Sequence, residues 1–135
     1  MKILMVCLGN ICRSPLAEGI LTDLAQKANL NWQVNSAGTG SWHIGEPPDE
    51  RSIEVAHHHG IDISHQRARQ FHFPDFDTYD LIFTMDSQNY QDVVKQALND
   101  YEKSKVDLIM NQHIPNRNIN IPDPYWNDDG FEQVF

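Results

Sequence analysis

Positive charge, cysteine and long apolar runs are all scarce in this chain, and each scarcity narrows what it does. Ten Lys and Arg stand against 19 Asp and Glu, a formal net charge of −9. So acidic a protein has no electrostatic footprint for nucleic acid or an anionic membrane surface, so neither is expected as a partner. An anionic substrate stays open, because the local field of a site can oppose the global charge. No apolar stretch reaches the roughly 20 residues of a membrane span. The N-terminal run Ile3–Val6 is a strand long and lacks a small-residue cleavage site, so it does not read as a secretory leader. The only cysteines, Cys7 and Cys12, lie too close together to staple distant segments. That points to a reducing, cytoplasmic setting. Repeats and low-complexity tracts are absent. What remains is one domain over residues 1–135 with ordinary globular composition, 40% hydrophobic and 21% charged, and a monomer is expected.

Apolar runs alternate with segments of helical period. Lys2–Cys7 predicts a strand buried on both faces. Leu16, Ile20, Leu21, Leu24 and Ala28 mark a helix face. Trp32–Ser36 alternates as a second strand and ends at Ala37-Gly38. Asp49 caps a helix running to His59, with Gly60 as its stop. Tyr79–Met85 and Val106–Met110 predict two more strands, separated by a helical stripe through Tyr90, Val93, Val94, Ala97, Leu98 and Tyr101. The order implies an α/β fold, a doubly wound four-stranded parallel sheet with helices on both faces. Asp128-Asp129-Gly130 opens a terminal helix whose apolar face begins with Phe131, Val134 and Phe135; about two turns is marginal, so the helix is expected to be cut short or to dock as a single turn.

Residues 7 to 14 read Cys-Leu-Gly-Asn-Ile-Cys-Arg-Ser and follow directly on the first strand. A tight loop of this length converges its backbone N–H groups on one point, a concave anion nest. Cys7 then lies at its floor, and Arg13 closes the rim with a fork suited to phosphate oxygens. Ser14 as N-cap and Pro15 at the first helical position start a helix whose positive end faces the same point. In a doubly wound sheet that place, beyond the carboxyl ends of the strands, is where ligands bind. The arrangement favours a thiolate and a bound dianion.

A thiolate that attacks a phosphate ester needs a partner to protonate the departing oxygen. Ile121-Pro122-Asp123-Pro124-Tyr125-Trp126 supplies a candidate, with Asp123 between two prolines that stiffen its backbone. Trp42, Tyr125 and Trp126 sit among polar, turn-forming neighbours, which predicts an aromatic slot able to take a phosphotyrosine ring. His57-His58-His59 reads as a solvated helix end, since adjacent helical residues point in different directions.

Val6–Glu18 (VCLGNICRSPLAE), Ser36–His43 (SAGTGSWH) and Asp123-Pro124-Tyr125 closely resemble low-molecular-weight protein tyrosine phosphatases, in order and over essentially the whole chain. The resemblance implies Cys7 as nucleophile, Arg13 as phosphate clamp and Asp123 as general acid, with Leu8, Gly9, Asn10, Ile11 and Cys12 forming the phosphate-binding loop. It implies that Ser14 hydrogen-bonds the thiolate, that Asn10 and Ser36 brace the loop, and that His65 and Asp86 join the supporting network. It also implies a phosphotyrosine-containing protein substrate, with no metal and no cofactor. Cys12 is either a small side chain packed under the loop or a thiol that captures oxidised Cys7.

Two related enzyme types share the scaffold. Thioredoxin-coupled arsenate reductases need further cysteines, which this chain lacks. Protein-arginine phosphatases carry threonine where this sequence has Ile11, and a branched apolar side chain favours an aromatic ring over a guanidinium. A silent phosphopeptide-binding module would need neither thiolate nor acid.

Overall fold

Continuous apolarity at the N-terminus has the expected outcome. A computed structural model describes residues 1–126 and 130–135, and in it Lys2–Cys7 forms strand β1 with Ile3 to Cys7 all buried. Its side chains alternate between two cores. Leu4 and Val6 pack with Ala37, Phe76, Ile82 and Val93 on one face; Ile3, Met5 and Cys7 pack with Phe83 and Met85 on the other. Each such aliphatic side chain contributes about 1.5–3 kcal/mol by leaving water.

Helix α1 spans Arg13–Lys27, two residues earlier than the capping signals predict. Cys12 takes the N-cap position without a side-chain cap bond, and Ser14 and Pro15 lie inside the first turn. The Ser14 hydroxyl is drawn away from capping by Cys7 and Asn10. The predicted apolar face also ends early. Leu16 is buried, but Leu24 is 55% exposed and Ala28 is the C-cap. Gly19 is buried instead, because the segment after the next helix crosses there: a Cβ on it would stand 2.5 Å from Ile63 Cγ2. Ile20, Leu21 and Leu24 line an open apolar groove of about 610 Å³ beside the sheet, together with Trp32 and Leu81.

Strand β2 runs Gln33–Gly38, two residues past the predicted end. Helix α2, Glu50–His58, follows the sequence reading: the Asp49 side chain accepts from the Arg51 amide at 2.9 Å, and Gly60 stops it at φ +79°. A short helix α3, Asp75–Thr78, has no counterpart in the pattern and seats Phe76 in the core. Strand β3 is Leu81–Thr84, shorter than predicted.

The stripe from Tyr90 to Tyr101 is not one helix. Helix α4 covers Ser87–Val94 and α5 covers Asp100–Ser104. Asn99 breaks the run by accepting from the Glu102 amide, while the Glu102 carboxylate reaches back to the Leu98 amide, a reciprocal cap. Leu98 is consequently 79% exposed. Strand β4 is only Val106–Leu108, because Ile109–Gln112 tightens into a 3₁₀ turn. A terminal helix α6 of one turn, Phe131–Val134, docks Phe131 against α2. The predicted helix start at Asp128 and Asp129 lies outside the described residues.

The sheet is all parallel in the order β2-β1-β3-β4. Helix α1 lies over one face, through Ala17 and Leu21, and α4 over the other, through Tyr90 and Val93. The chain winds from β1 to β2 on one side and to β3 on the other. The carboxyl end of β1, at Cys7, is therefore the switch point.

Candidate active site

The loop after β1 is shaped by β2. Beyond Gly38 the chain clamps the loop with two backbone bonds, Thr39 N–H to the Cys7 carbonyl and Gly40 N–H to the Leu8 carbonyl, both 2.9 Å. Gly38 has to be glycine for this approach, since a Cβ there would lie 2.7 Å from the Leu8 carbonyl oxygen. Asn10 turns the loop at φ +58°, in the left-handed region that Asn tolerates better than most residues. Its buried side chain holds both ends of the turn. Nδ2 donates to Ser14 Oγ at 2.8 Å, and Oδ1 accepts from the Arg69 amide at 3.0 Å.

Ser14 Oγ lies 3.0 Å from Cys7 Sγ. A hydroxyl has one proton, and Asn10 already occupies an acceptor position on it. The proton is thus free for sulfur, the only competing acceptor among the described residues being the Ala37 carbonyl at 3.5 Å. Ser14 is placed to donate to a thiolate. The structure brings Asn10 and Ser14 together beneath Cys7.

Arg13 is buried, and its guanidinium is oriented by two fixed acceptors. Nη1 donates to Asp86 Oδ2 at 2.6 Å and to the Ile121 carbonyl at 2.9 Å. Asp86 is itself held as N-cap of α4 by the Asn89 amide at 2.8 Å. Nη2 faces Asp123 Oδ2 at 3.7 Å. The other oxygen of Asp123 accepts from the Tyr125 amide at 3.1 Å. Pro124 is buried, so the acid loop is anchored next to this carboxylate.

Cys7, Arg13 and Asp123 converge on one cleft of about 280 Å³. Leu8, Gly9, Ile11 and Cys12 line its loop side, and Trp42, His43, Tyr125 and Trp126 its mouth. The depth gradient is steep: Cys7 is 2% exposed, Trp42 71% and Trp126 83%. Tyr125 and Trp126 meet edge to face at 4.8 Å and form an aromatic rim.

Two predicted members of the network lie elsewhere. The Ser36 hydroxyl donates to Glu18 Oε1 at 2.8 Å, so Ser36 ties β2 to α1 and makes no side-chain bond to the loop. His65 is exposed and, among the described residues, makes no hydrogen bond. It lines a separate polar recess of about 630 Å³ with Glu18 and Ser36, where burial raises the Glu18 pKa against the Ser36 hydrogen bond. The physical cause is local: Asn10 and the Arg69 amide already complete the loop's brace.

His43 was not singled out as a site residue by sequence. Its ring lies at the cleft, bonded to Glu46 at 2.7 Å and tilted against Tyr125 at 6.2 Å. Its position directly after Trp42 was the available signal. His59, from the triple-histidine tract, pairs with Glu132 at 2.7 Å and stacks on Phe135 at 4.0 Å. Among the described residues no three His, Cys, Asp or Glu side chains gather as metal ligands.

Cys7 and Cys12 are both free thiols, with different surroundings. Burial first, then the charges of Asp49, Cys7 and Asp123, push the Cys12 thiol up to about 12. At pH 7 it is protonated and inert. Iodoacetate, whose carboxylate the Arg13 site attracts, is expected to label Cys7 and leave Cys12 unmodified. Peptide mapping by mass spectrometry checks this; faster labelling of Cys12 would contradict it.

Comparison with known proteins agrees with this geometry. The family model described as low molecular weight phosphotyrosine protein phosphatase matches residues 2–135. The phosphatase of that name from Homo sapiens is 42% identical over 139 aligned residues, covering 99% of this chain and 86% of the relative, and that from Sus scrofa is 38% identical at the same coverage. Among solved structures, a protein tyrosine phosphatase from Entamoeba histolytica with Hepes in its active site superposes with a TM-score of 0.91 at 35% identity, covering 99% and 86% of the two chains. Wzb from Vibrio vulnificus, in complex with benzylphosphonate, gives 0.85 at 34% identity, covering 98% and 88%. The chain belongs to the low-molecular-weight phosphotyrosine protein phosphatase family.

Proposed function

We propose that this protein hydrolyses phosphotyrosine in protein substrates through a phosphocysteine on Cys7. The observation that carries the proposal is the convergence of Cys7, Arg13 and Asp123 at the floor and wall of a narrow, aromatic-rimmed cleft. Cys7 Sγ attacks phosphorus in line as the phosphorus–phenolic oxygen bond breaks, and Asp123 gives its proton to the departing oxygen. Asp123, now a carboxylate, takes a proton from water. The water oxygen attacks phosphorus, the phosphorus–sulfur bond breaks, and inorganic phosphate leaves with Cys7 again a thiolate. Arg13 and the loop amides hold the equatorial oxygens in both steps, and Ser14 steadies sulfur as the leaving group. The relative crystallised with benzylphosphonate carries an arylmethyl phosphonate, a phosphoryl group one atom from an aromatic ring, the ligand shape that a deep phosphate seat beneath an aromatic rim predicts.

Residues 1–135 act as one phosphatase domain, monomeric and cytoplasmic, requiring no metal or cofactor. The charge of −9 disfavours nucleic acid and anionic membranes as partners, and no helix among the described residues is long and apolar enough to cross a membrane.

Matched phosphotyrosine, phosphoserine and phosphoarginine peptides test the assignment. Phosphotyrosine is expected to have the highest kcat/KM: the shorter phosphoserine leaves its phosphate short of the buried thiol, and the apolar wall of Ile11 favours an aromatic ring over a guanidinium. Ile11 lines the cleft, so Ile11→Thr should shift the tyrosine-to-arginine ratio toward phosphoarginine by roughly 10–200-fold, the scale that one pocket group supplies. A wild-type preference for phosphoarginine would overturn the substrate class. An unmoved ratio in the variant would transfer selection to Trp42, Tyr125 and Trp126.

A further inference from the structure

We infer that Arg51 is a positioning residue that fixes the acid loop to the phosphate loop, setting where Asp123 stands over Cys7. The inference rests on the assignment of Asp123 as general acid.

Arg51 is the second residue of α2, outside the cleft lining, and among the described residues its guanidinium joins the cap of α2, the acid loop and α6. Nε and Nη2 grip the two oxygens of Asp49, each at 2.9 Å. Nη2 also donates to the Tyr125 carbonyl at 3.1 Å. The plane of the group lies over the Phe131 ring at 4.5 Å and near the Tyr125 ring at 5.7 Å. Both ends of this strap lead to reacting groups. Asp49 donates its amide to the Ile11 carbonyl at 2.7 Å, inside the loop that seats the phosphate. Tyr125 donates its amide to Asp123 Oδ1 at 3.1 Å. A displacement of Arg51 therefore moves Tyr125, the residue whose amide orients the acid, while Cys7 and Arg13 keep their own supports in Ser14 and Asp86. The Arg51 hydrogen bond holds the Asp49 carboxyl below its usual range, so the anchor stays ionised at neutral pH. A planar fork can hold a carboxylate by two bonds and still reach a carbonyl; lysine, a point charge on a flexible stem, cannot reproduce that.

The test compares Arg51→Gln and Arg51→Lys with wild type on phenyl phosphate and on 2,4-dinitrophenyl phosphate, using kcat/KM, which reports the steps up to loss of the phenol. Arg51→Gln should lose about 10–100-fold on phenyl phosphate, the scale of a misplaced catalytic group. It should lose less than about 3-fold on the dinitrophenyl ester, which leaves without a proton. Arg51→Lys should fall between glutamine and wild type. In an Asp123→Ala background the glutamine substitution should add less than about 2-fold, since it acts through the acid. If Arg51→Gln does not fold, Asp49→Asn carries the test: asparagine still caps α2 but loses the charge that grips Arg51, so the same substrate-selective loss is expected, smaller in size. Equal losses on both esters, or a full loss persisting without Asp123, would overturn the inference. A leaving-group dependence unchanged by Asp123→Ala itself would instead remove the general acid on which it rests.

Discussion

Cys7→Ser is expected to lower turnover by about 10⁴–10⁶-fold, the range over which removing a covalent nucleophile acts in other hydrolases. The serine hydroxyl is protonated at neutral pH, and the Ser14 donor that suits a thiolate gives it no help in losing that proton. The fold should survive. Cys7 ends β1, and its backbone bond to Thr39 does not involve the side chain. Circular dichroism and a thermal melt should overlay wild type, and inorganic phosphate should still bind through Arg13 and the loop. Retention of more than about 1% of turnover would mean that sulfur is not the nucleophile.

The second large effect belongs to Asp123. Replacing it with alanine should reduce kcat/KM by about 10²–10⁴-fold on aryl phosphates with poor leaving groups. The loss should shrink steadily as the phenol becomes more acidic, because less protonation is then required in the transition state. The carboxylate is 3.7 Å from Arg13 and held by the Tyr125 amide, so the residue also contributes to the field around phosphate. A purely electrostatic or positioning role would lower all substrates alike. The leaving-group series separates these two contributions.

These effects were legible in the sequence because the groups that cause them are local. Cys7, Asn10, Arg13 and Ser14 fall within eight residues, and the strand before them and helix after them are marked by apolarity and by Pro15. Asp123 stood out through its two prolines. The supporting residues were less visible, since their roles depend on packing between distant segments. Ser36 lies on β2 beside the loop and His65 in the connection after α2, yet the Arg69 amide, 59 residues from Asn10, takes the place they were expected to fill. Arg51 lies 74 residues from the carbonyl it holds, and only the Asp-x-Arg spacing after a helix cap hinted at its fork. The break between α4 and α5 has another origin. Periodicity continues through Leu98 and Tyr101, but the reciprocal cap of Asn99 and Glu102 outweighs it. Apolar spacing alone does not register a competing cap.

The central claim is a covalent phosphoryl group on sulfur, and acid quenching tests it most directly. Wild-type protein mixed with 2,4-dinitrophenyl phosphate is quenched within milliseconds, digested and mapped by mass spectrometry, with Asp123→Ala alongside because slowed hydrolysis should raise the yield. The account predicts one added phosphoryl group on the peptide containing Cys7, assigned to Cys7 and absent from Cys7→Ser. A phosphoryl group on a histidine or aspartate, or turnover with no phosphoenzyme at any quench time, would contradict it.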